Sequence, residues 1–278
     1  YQKMIVTALG RSKSTPVGGL EAEIVHFKTY ADMEKAPDNS LSGKIAFISN
    51  RMEKFKNGAG YGSANIARSK GHELAAQKGA EAILIRSIGT DDHRNPHTGG
   101  TNVAMGYTIV PAVALSNPDA DQLVRLMAFG HTPKIRLNIQ TKDLGPIVTK
   151  NVIGEITGRE LPDEVVVIGG HLDSWDLGTG AVDDGAGVAI AMATGAFIKN
   201  NTNMQPRRTI RVILWGAEEL GLIGARAYAK ARKEEGTIVN HIIGSESDFG
   251  AGPVYGLQSS SNVSANAIHV VDTMAGIM

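Results

Sequence analysis

Apolar residues in the first half of the chain come in short runs separated by turns rich in glycine, asparagine and proline. Glu23–Phe27 and Lys44–Ser49 predict strands, and Ile66–Lys78 predicts a helix that stops at Gly79. Ala82–Ser87 (AILIRS) and Val110–Leu115 (VPAVAL) predict two more short strands. Asn117–Phe129 predicts a helix, with Pro118 in the first turn, where its missing N–H breaks no bond, and Gly130 just past the end. Lys134–Thr141 (KIRLNIQT) alternates apolar and polar residues, the pattern of a strand with one face exposed.

The pattern changes near Asp143–Lys150. Asn151–Thr157 and Glu164–Gly169 follow as strands, and the second is so nearly apolar throughout that both of its faces are expected to be covered. Ala186–Lys199 is an alanine-rich helix, apolar almost all round, which predicts deep packing. Thr209–Trp215 is a third strand, Ala225–Lys233 an amphipathic helix stopping at Gly236, and His241–Gly244 the start of a fourth strand. The expected fold class is α/β, with a mostly parallel sheet in this second half and a smaller α/β domain before it.

Composition narrows the function. With 278 residues, 42% of them hydrophobic and 20% charged, the chain can bury a core and is not disordered. Lys plus Arg equals Asp plus Glu at 28 each, so there is no electrostatic footprint for nucleic acid. No apolar run approaches the roughly 18 residues of a membrane span. Cysteine is absent, which excludes disulfides and thiolate metal sites. The chain opens on Tyr1 and stops at Met278 in a helical-looking stretch, so segments are expected beyond both ends.

In an open α/β sheet, ligands bind beyond the carboxyl ends of the strands. Acidic residues gather at three such ends here. HLDSWD carries His171, Asp173 and Asp176, followed by Asp183 and Asp184 in GAVDDGAG; WGAEELG carries Glu218 and Glu219; SESDFGAG carries Glu246 and Asp248. Without Lys or Arg nearby, such acids are costly to hold together unless a cation joins them. Imidazole and carboxylate suit a zinc-like ion, and the surplus of acids suggests two ions with a bridging carboxylate, about 3.5–4 Å apart. One acid must stay unligated to act as base, and adjacent Glu218 and Glu219 can divide those roles between them. Asp173, two residues after His171, is placed to accept a hydrogen bond from the second imidazole nitrogen. Asp176 and Glu246 read as turn or hydrogen-bonding residues. The loop Asp91–His97 (DDHRNPH) could imitate a metal site but reads as a solvated turn.

HLDS, GAVDDGAG, AEELG and ESDFGAG, in this order, resemble the co-catalytic zinc exopeptidases that include secreted bacterial aminopeptidases. The longer HLDSWDLGTGAVDDGAG is similar to the carboxypeptidase Q branch of that family and its bacterial relatives. The phrases GKIAFI, AAQKGAEAILIRS and VPAVALS resemble a protease-associated domain, which those relatives carry as an insertion. The resemblance implies a tail or linker of the catalytic domain over 1–14, a protease-associated domain over 15–142, and a zinc peptidase domain over 143–278. It implies two Zn2+ ions, with His171 and Asp248 on one, Asp183 bridging, Glu219 on the other and Glu218 as general base. Asp173 would stand behind His171, and Asp184 would follow Asp183 through a cis peptide. The family's last histidine ligand is not found: His269, in NAIHVV, reads as a surface or packing residue, so the chain is expected to stop short of that ligand. The implied partner is a peptide substrate, a homodimer is compatible, and the implied location is secreted, periplasmic or lysosomal. A single-zinc glutaminyl-cyclase-like protein and a non-catalytic receptor-like protein are the alternatives on this scaffold.

Overall fold

A computed structural model of the chain describes residues 2–201, 203, 205–253 and positions 264, 268, 269, 272, 273 and 276. It divides into two compact units, Tyr1–Val148 with Trp175–Thr179, and Thr149–Ser174 with Gly180–Met278.

The first unit contains β1 (Val6–Ala8), β2 (Leu20–Phe27), α1 (Tyr30–Glu34), β3 (Lys44–Ile48), α2 (Gly60–Gln77), β4 (Ala82–Arg86), β5 (Ala112–Leu115), α3 (Asn117–Ala128) and β6 (Lys134–Leu137). Its strands lie in the order β1-β5-β4-β3-β2-β6; the four from β5 to β2 are parallel, and β1 and β6 pair antiparallel at the edges. The inner strands β3, β4 and β5 are buried on both faces, and the period of two sorts their side chains. Ala46, Ile48, Ile83 and Ile85 meet Met33, Leu74 and Ala75 from the first two helices. Ile45, Phe47, Leu84 and Val113 meet Ala120 and Leu123 of α3 on the other side. The Ser116 side chain accepts from Asp119 N to cap α3, with Pro118 in its first turn, as the sequence predicts.

Three differences have local causes. Residues 1–14, expected as a tail or linker of the catalytic part, supply β1 to this sheet, pairing Val6 with Leu115 and Ala8 with Val113. Helix α2 starts at Gly60, ahead of the expected Ile66, because this turn lies against the backbone of Glu53, where a Cβ on Gly60 would come within 2.2 Å of the Glu53 carbonyl. Strand β6 stops at Leu137 because side chains take over half of the pairing beyond it: Thr15 N still donates to Ile139 O, but Ile139 N donates to Thr15 Oγ1 and Thr141 N to Ser14 Oγ.

The second unit contains β7 (Val152–Ile156), β8 (Leu161–His171), α4 (Gly185–Asn200), β9 (Arg208–Trp215), α5 (Ile223–Glu234) and β10 (His241–Glu246). Its strands lie in the order β10-β8-β9-β7, all parallel except the edge strand β7. Val165, Val167, Ile213 and Trp215 bury one sheet face against Ala225 and Tyr228 of α5. On the other face α4 lies along β8 and β9. The expected deep burial of this helix is corrected here. Only Gly187, Ala191 and Gly195 are buried, while Ile190, Met192 and Phe197 are 43%, 54% and 59% exposed. Its sheet-facing stripe is made of small residues, so the backbone comes close and the larger side chains point away; a Cβ on Gly195 would lie 2.7 Å from Val212 Cγ2. For the same reason Val166 and Ile168 are half-buried rather than covered. Among the described residues, a groove of about 300 Å³ is lined by Val152 and Ile156 of β7, Met192 and Ala196 of α4, and Val212 and Leu214 of β9.

Two histidines of the first unit couple its stability to pH. Burial pushes the pKa of His72 below the ordinary 6.5, against a weaker upward pull from Glu73. Burial and Lys28 do the same to His26, whose ordinary value is also 6.5. As pH falls, the unfolded chain therefore binds their protons first. Stability present above the ordinary 6.5 is lost as pH falls from there through the lowered folded-state values. Hydrogen exchange in β3 and β4, corrected for intrinsic rates, is expected to show weaker protection at about pH 5.5 than at about pH 7.5, with a smaller difference in His72→Leu. Equal protection at both pH values would count against this assignment.

Candidate metal centre

The centre is assembled at the carboxyl end of the second unit's sheet, and glycines decide how closely its parts approach. Strand β8 ends in Gly169-Gly170-His171, in register with Ile213, Leu214 and Trp215 of β9. A Cβ on Gly170 would lie 2.7 Å from both Asp184 Oδ2 and Val188 N. One on Gly187 would lie 1.7 Å from the Ser247 carbonyl. With both side chains absent, the start of α4 presses against the strand end. Asp184 caps the helix there, accepting Gly187 N–H at 3.0 Å and, through its other oxygen, His171 N–H at 2.9 Å. Asp183 is joined to it by a cis peptide. Ser247 N donates to Gly169 O at 3.0 Å, which carries the chain beyond β10 alongside β8 and brings Asp248 level with His171.

His171 is 1% exposed. Its Nδ1 lies 2.8 Å from the Asp173 carbonyl oxygen, an acceptor, so Nδ1 carries hydrogen and Nε2 faces the acids. Nε2 is 3.1 Å from Asp183 Oδ1, 3.2 Å from Asp248 Oδ1 and 4.0 Å from Glu218 Oε2. Donor atoms about 2.1 Å from a tetrahedral zinc are about 3.4 Å apart, close to these separations. Among the described residues, His171, Asp183 and Asp248 are the group of three whose donor atoms all fall within 4.8 Å of one another. Glu219 is not in that group, and the Asp91–His97 loop forms no such group. In that loop Asp91 lies 3.3 Å from His93 and 3.6 Å from His97, on opposite carboxylate oxygens. His269 is exposed.

The electrostatics show what the cluster lacks. Burial tends to keep the His171 ring neutral, but its bond to the Asp173 carbonyl and the carboxylates of Asp248, Asp184 and Glu218 outweigh this and raise its pKa to about 8. Burial raises the carboxyl of Glu218, reinforced by Asp248, Asp173 and Asp183 and opposed by His171. Burial and Asp183 raise Asp248, and burial, Asp248 and Glu218 raise Glu246. A histidine that favours its cationic form among acids that resist ionising is a site short of positive charge, which a divalent cation supplies.

Asp173 meets the second imidazole nitrogen as expected, but not through its side chain. Its Oδ1 stands 3.9 Å from His171 Nδ1, and the imidazole is held by the backbone carbonyl instead. The carboxylate turns to the next strand end, accepting Glu218 N–H at 2.8 Å and Glu219 N–H at 3.2 Å. Two adjacent amides offer a carboxylate a better site than one ring nitrogen already paired. Glu246, set aside in the sequence, joins the acidic cluster electrostatically. Asn151, read in the sequence only as the first residue of a strand, bonds Gly216 N–H and Gly224 O at the two ends of the loop that carries Glu218 and Glu219.

The sequence profile of peptidase family M28 matches residues 151–275. Carboxypeptidase Q of Bos taurus is 33% identical over 267 residues, 96% of this chain and 54% of its own length. The Mus musculus protein of the same name is 34% identical over 266 residues, again 96% and 54%. The chain thus spans about half the length of these curated relatives. A peptidase M28 precursor from Shewanella amazonensis superposes with a TM-score of 0.85 at 48% identity, over 91% of this chain and 57% of its own. An aminopeptidase from Aneurinibacillus gives 0.56 at 27% identity, over 87% and 53%.

If these donors hold an ion, equilibrium dialysis against Zn2+ is expected to find a tight site that Asp248→Asn weakens by about tenfold or more, the order produced when a ligand set is disturbed. The far-ultraviolet circular dichroism should stay unchanged, since Asp248 is 40% exposed. Undiminished affinity in that variant would remove Asp248 from the centre.

Proposed function

The chain belongs to peptidase family M28, through residues 151–275, and we propose that its protein is a di-zinc exopeptidase cleaving the terminal bond of dipeptides or short peptides, with Glu218 as general base. The observation that carries this reading is the meeting of His171 Nε2 with Asp183 and Asp248 at 3.1 and 3.2 Å, with Glu218 at 4.0 Å. His171 and Asp248 would hold one ion, Asp183 would bridge, and Glu219 would hold the other. Zinc bound there supplies Lewis-acid chemistry, lowering the pKa of water from about 15.7 towards 7 and polarising a carbonyl.

The chain's own groups supply the rest. Glu218, 20% exposed, is sheltered enough for its carboxylate to compete with bulk water for a proton. It takes a proton as the water oxygen bonds to the scissile carbonyl carbon. As the carbon–nitrogen bond breaks, Glu218 returns that proton to the leaving amine nitrogen. Asp173 keeps Glu218 in place through the backbone N–H bond. The resemblance to carboxypeptidase Q over 96% of the chain supports the peptide substrate. A protease-associated domain over 15–142, a catalytic domain over 143–278 and a location outside the cytoplasm belong to the same proposal. The location rests on the resemblance to secreted aminopeptidases; among the described residues no helix is long and apolar enough to cross a membrane.

Glu218→Gln is expected to keep the fold and the metal while lowering kcat by about 10²–10⁴, the usual worth of a positioned base. Dipeptide hydrolysis by the zinc-loaded, full-length protein measures it. More than about a tenth of wild-type kcat would rule out Glu218 as the base.

A further inference from the structure

The loop between β9 and α5, Gly216–Leu222, carries both Glu218 and Glu219 and has an unfavourable backbone. Ala217 and Leu222 take φ of 55° and 59°, the left-handed region that side chains disfavour. Such residues persist where surrounding contacts determine them. Inside the loop, Gly221 N and Leu222 N both donate to Glu218 O, and Ile223 N and Gly224 N close the neck onto Ala217 O and Gly216 O. Asp173 holds the middle from outside.

The neck has an outside clamp as well. Asn151, immediately ahead of β7, accepts Gly216 N–H on Oδ1 at 3.1 Å and donates from Nδ2 to Gly224 O at 2.9 Å. These partners fix the orientation of the amide, because one is a donor and the other an acceptor. The two bonds join the residue before the loop's first left-handed position to the second residue of α5. The fit is tight: a Cβ on Gly224 would lie 2.2 Å from Asn151 Oδ1 and 2.5 Å from Gly216 O. The antiparallel register sets Val152 opposite Leu214, so Asn151 reaches this neck from the edge strand.

We infer that Asn151 is a positioning residue for Glu218: its carboxamide locks the neck of the glutamate loop and so holds the base at its working distance. The inference rests on the reading of Glu218 as general base. A carboxamide offers a donor and an acceptor side by side. Alanine offers neither, and aspartate keeps the shape and the acceptor but loses the donor.

The test is a double-mutant cycle in the full-length protein at saturating Zn2+, with kcat and KM for one dipeptide measured in wild type, Asn151→Ala, Glu218→Gln and the double variant. Asn151→Ala is expected to lower kcat by about tenfold or more with KM within about threefold, since small displacements of a catalytic group carry penalties of that order. In the Glu218→Gln background the same change should cost less than about twofold, there being no base left to misplace. An equal factor in both backgrounds, or no loss of kcat, would overturn the inference while leaving Glu218 as the base. Near-wild-type kcat in Glu218→Gln alone would overturn the base reading, and this inference with it. If Asn151→Ala fails to fold, Asn151→Asp enters the same cycle with the same expectations.

Discussion

Asp184 is 1% exposed, yet it bonds two backbone amides, Gly187 N–H of the helix start and His171 N–H of the strand end. Burying a carboxylate costs several kcal/mol. Here two charge-assisted bonds and the positive end of a sixteen-residue helix offset that cost. The rest of the centre depends on this junction. It sets where α4 begins relative to β8, and so delivers Asp183, the preceding residue, to within 3.1 Å of His171 Nε2. Adjacent aspartates therefore do different work: one is a buried cap, the other 65% exposed and free to meet a cation. The glycines at 170 and 187 are what allow the approach, since a Cβ at either would occupy the space the junction needs.

The charges divide in the same way. Acids of the first unit that lie beside cations are easy to ionise. Burial resists ionisation of Asp121, but hydrogen bonds from Arg86 and Arg51 prevail and hold its carboxyl below the ordinary range. A hydrogen bond from Lys78 does the same for Asp38. At the strand ends of the second unit, Glu218, Glu246 and Asp248 are all pushed upward, and the cation facing them is His171. An acidic cluster whose members raise one another is unfavourable for a bare fold and favourable for a receptor of positive charge. That contrast marks His171, Asp183 and Asp248 as a group that could hold a metal ion, unlike the ion-paired acids of the first unit.

The strand-end clusters were legible in the sequence because polar residues interrupted apolar runs where a parallel sheet places its ligands. The α/β alternation predicted that the clusters holding His171, Asp183 and Asp248 gather at one end of the sheet, and the resemblance to zinc exopeptidases singled out these three among them. Other features depended on distances that no pattern encodes. Helix α2 begins at Gly60, ahead of the Ile66 that the apolar pattern marks, because its first turn lies on the Glu53 backbone. The apolar α4 reads as buried, although hydrophobic composition says only that a face can be covered, and here small residues take the sheet side. The spacing of His171 and Asp173 correctly signalled a contact with the imidazole. It did not reveal that the contact uses the backbone carbonyl and leaves the carboxylate for another strand end.

That division within Asp173 links two parts of the centre that sequence treats as separate motifs. Its carbonyl sets the tautomer of His171, while its side chain holds the amides of Glu218 and Glu219. A shift in the turn after β8 would thus disturb the imidazole and the glutamate pair together. The glutamate loop holds two non-glycine residues at positive φ, each costing about 1–2 kcal/mol. Backbone bonds within the loop and its neck keep that conformation together with groups from elsewhere: Asp173 from β8's exit and Asn151 from the edge strand. Chemistry-bearing side chains sit in short local motifs because strand ends expose them there. Their precision comes from backbone bonds to residues 45 and 65 positions away, of which Asp173 carried a signal in its motif and Asn151 carried none. Preorganisation of this kind is set when the chain folds, and it would serve the proposed hydrolysis because a group already in place needs no reorganisation during reaction.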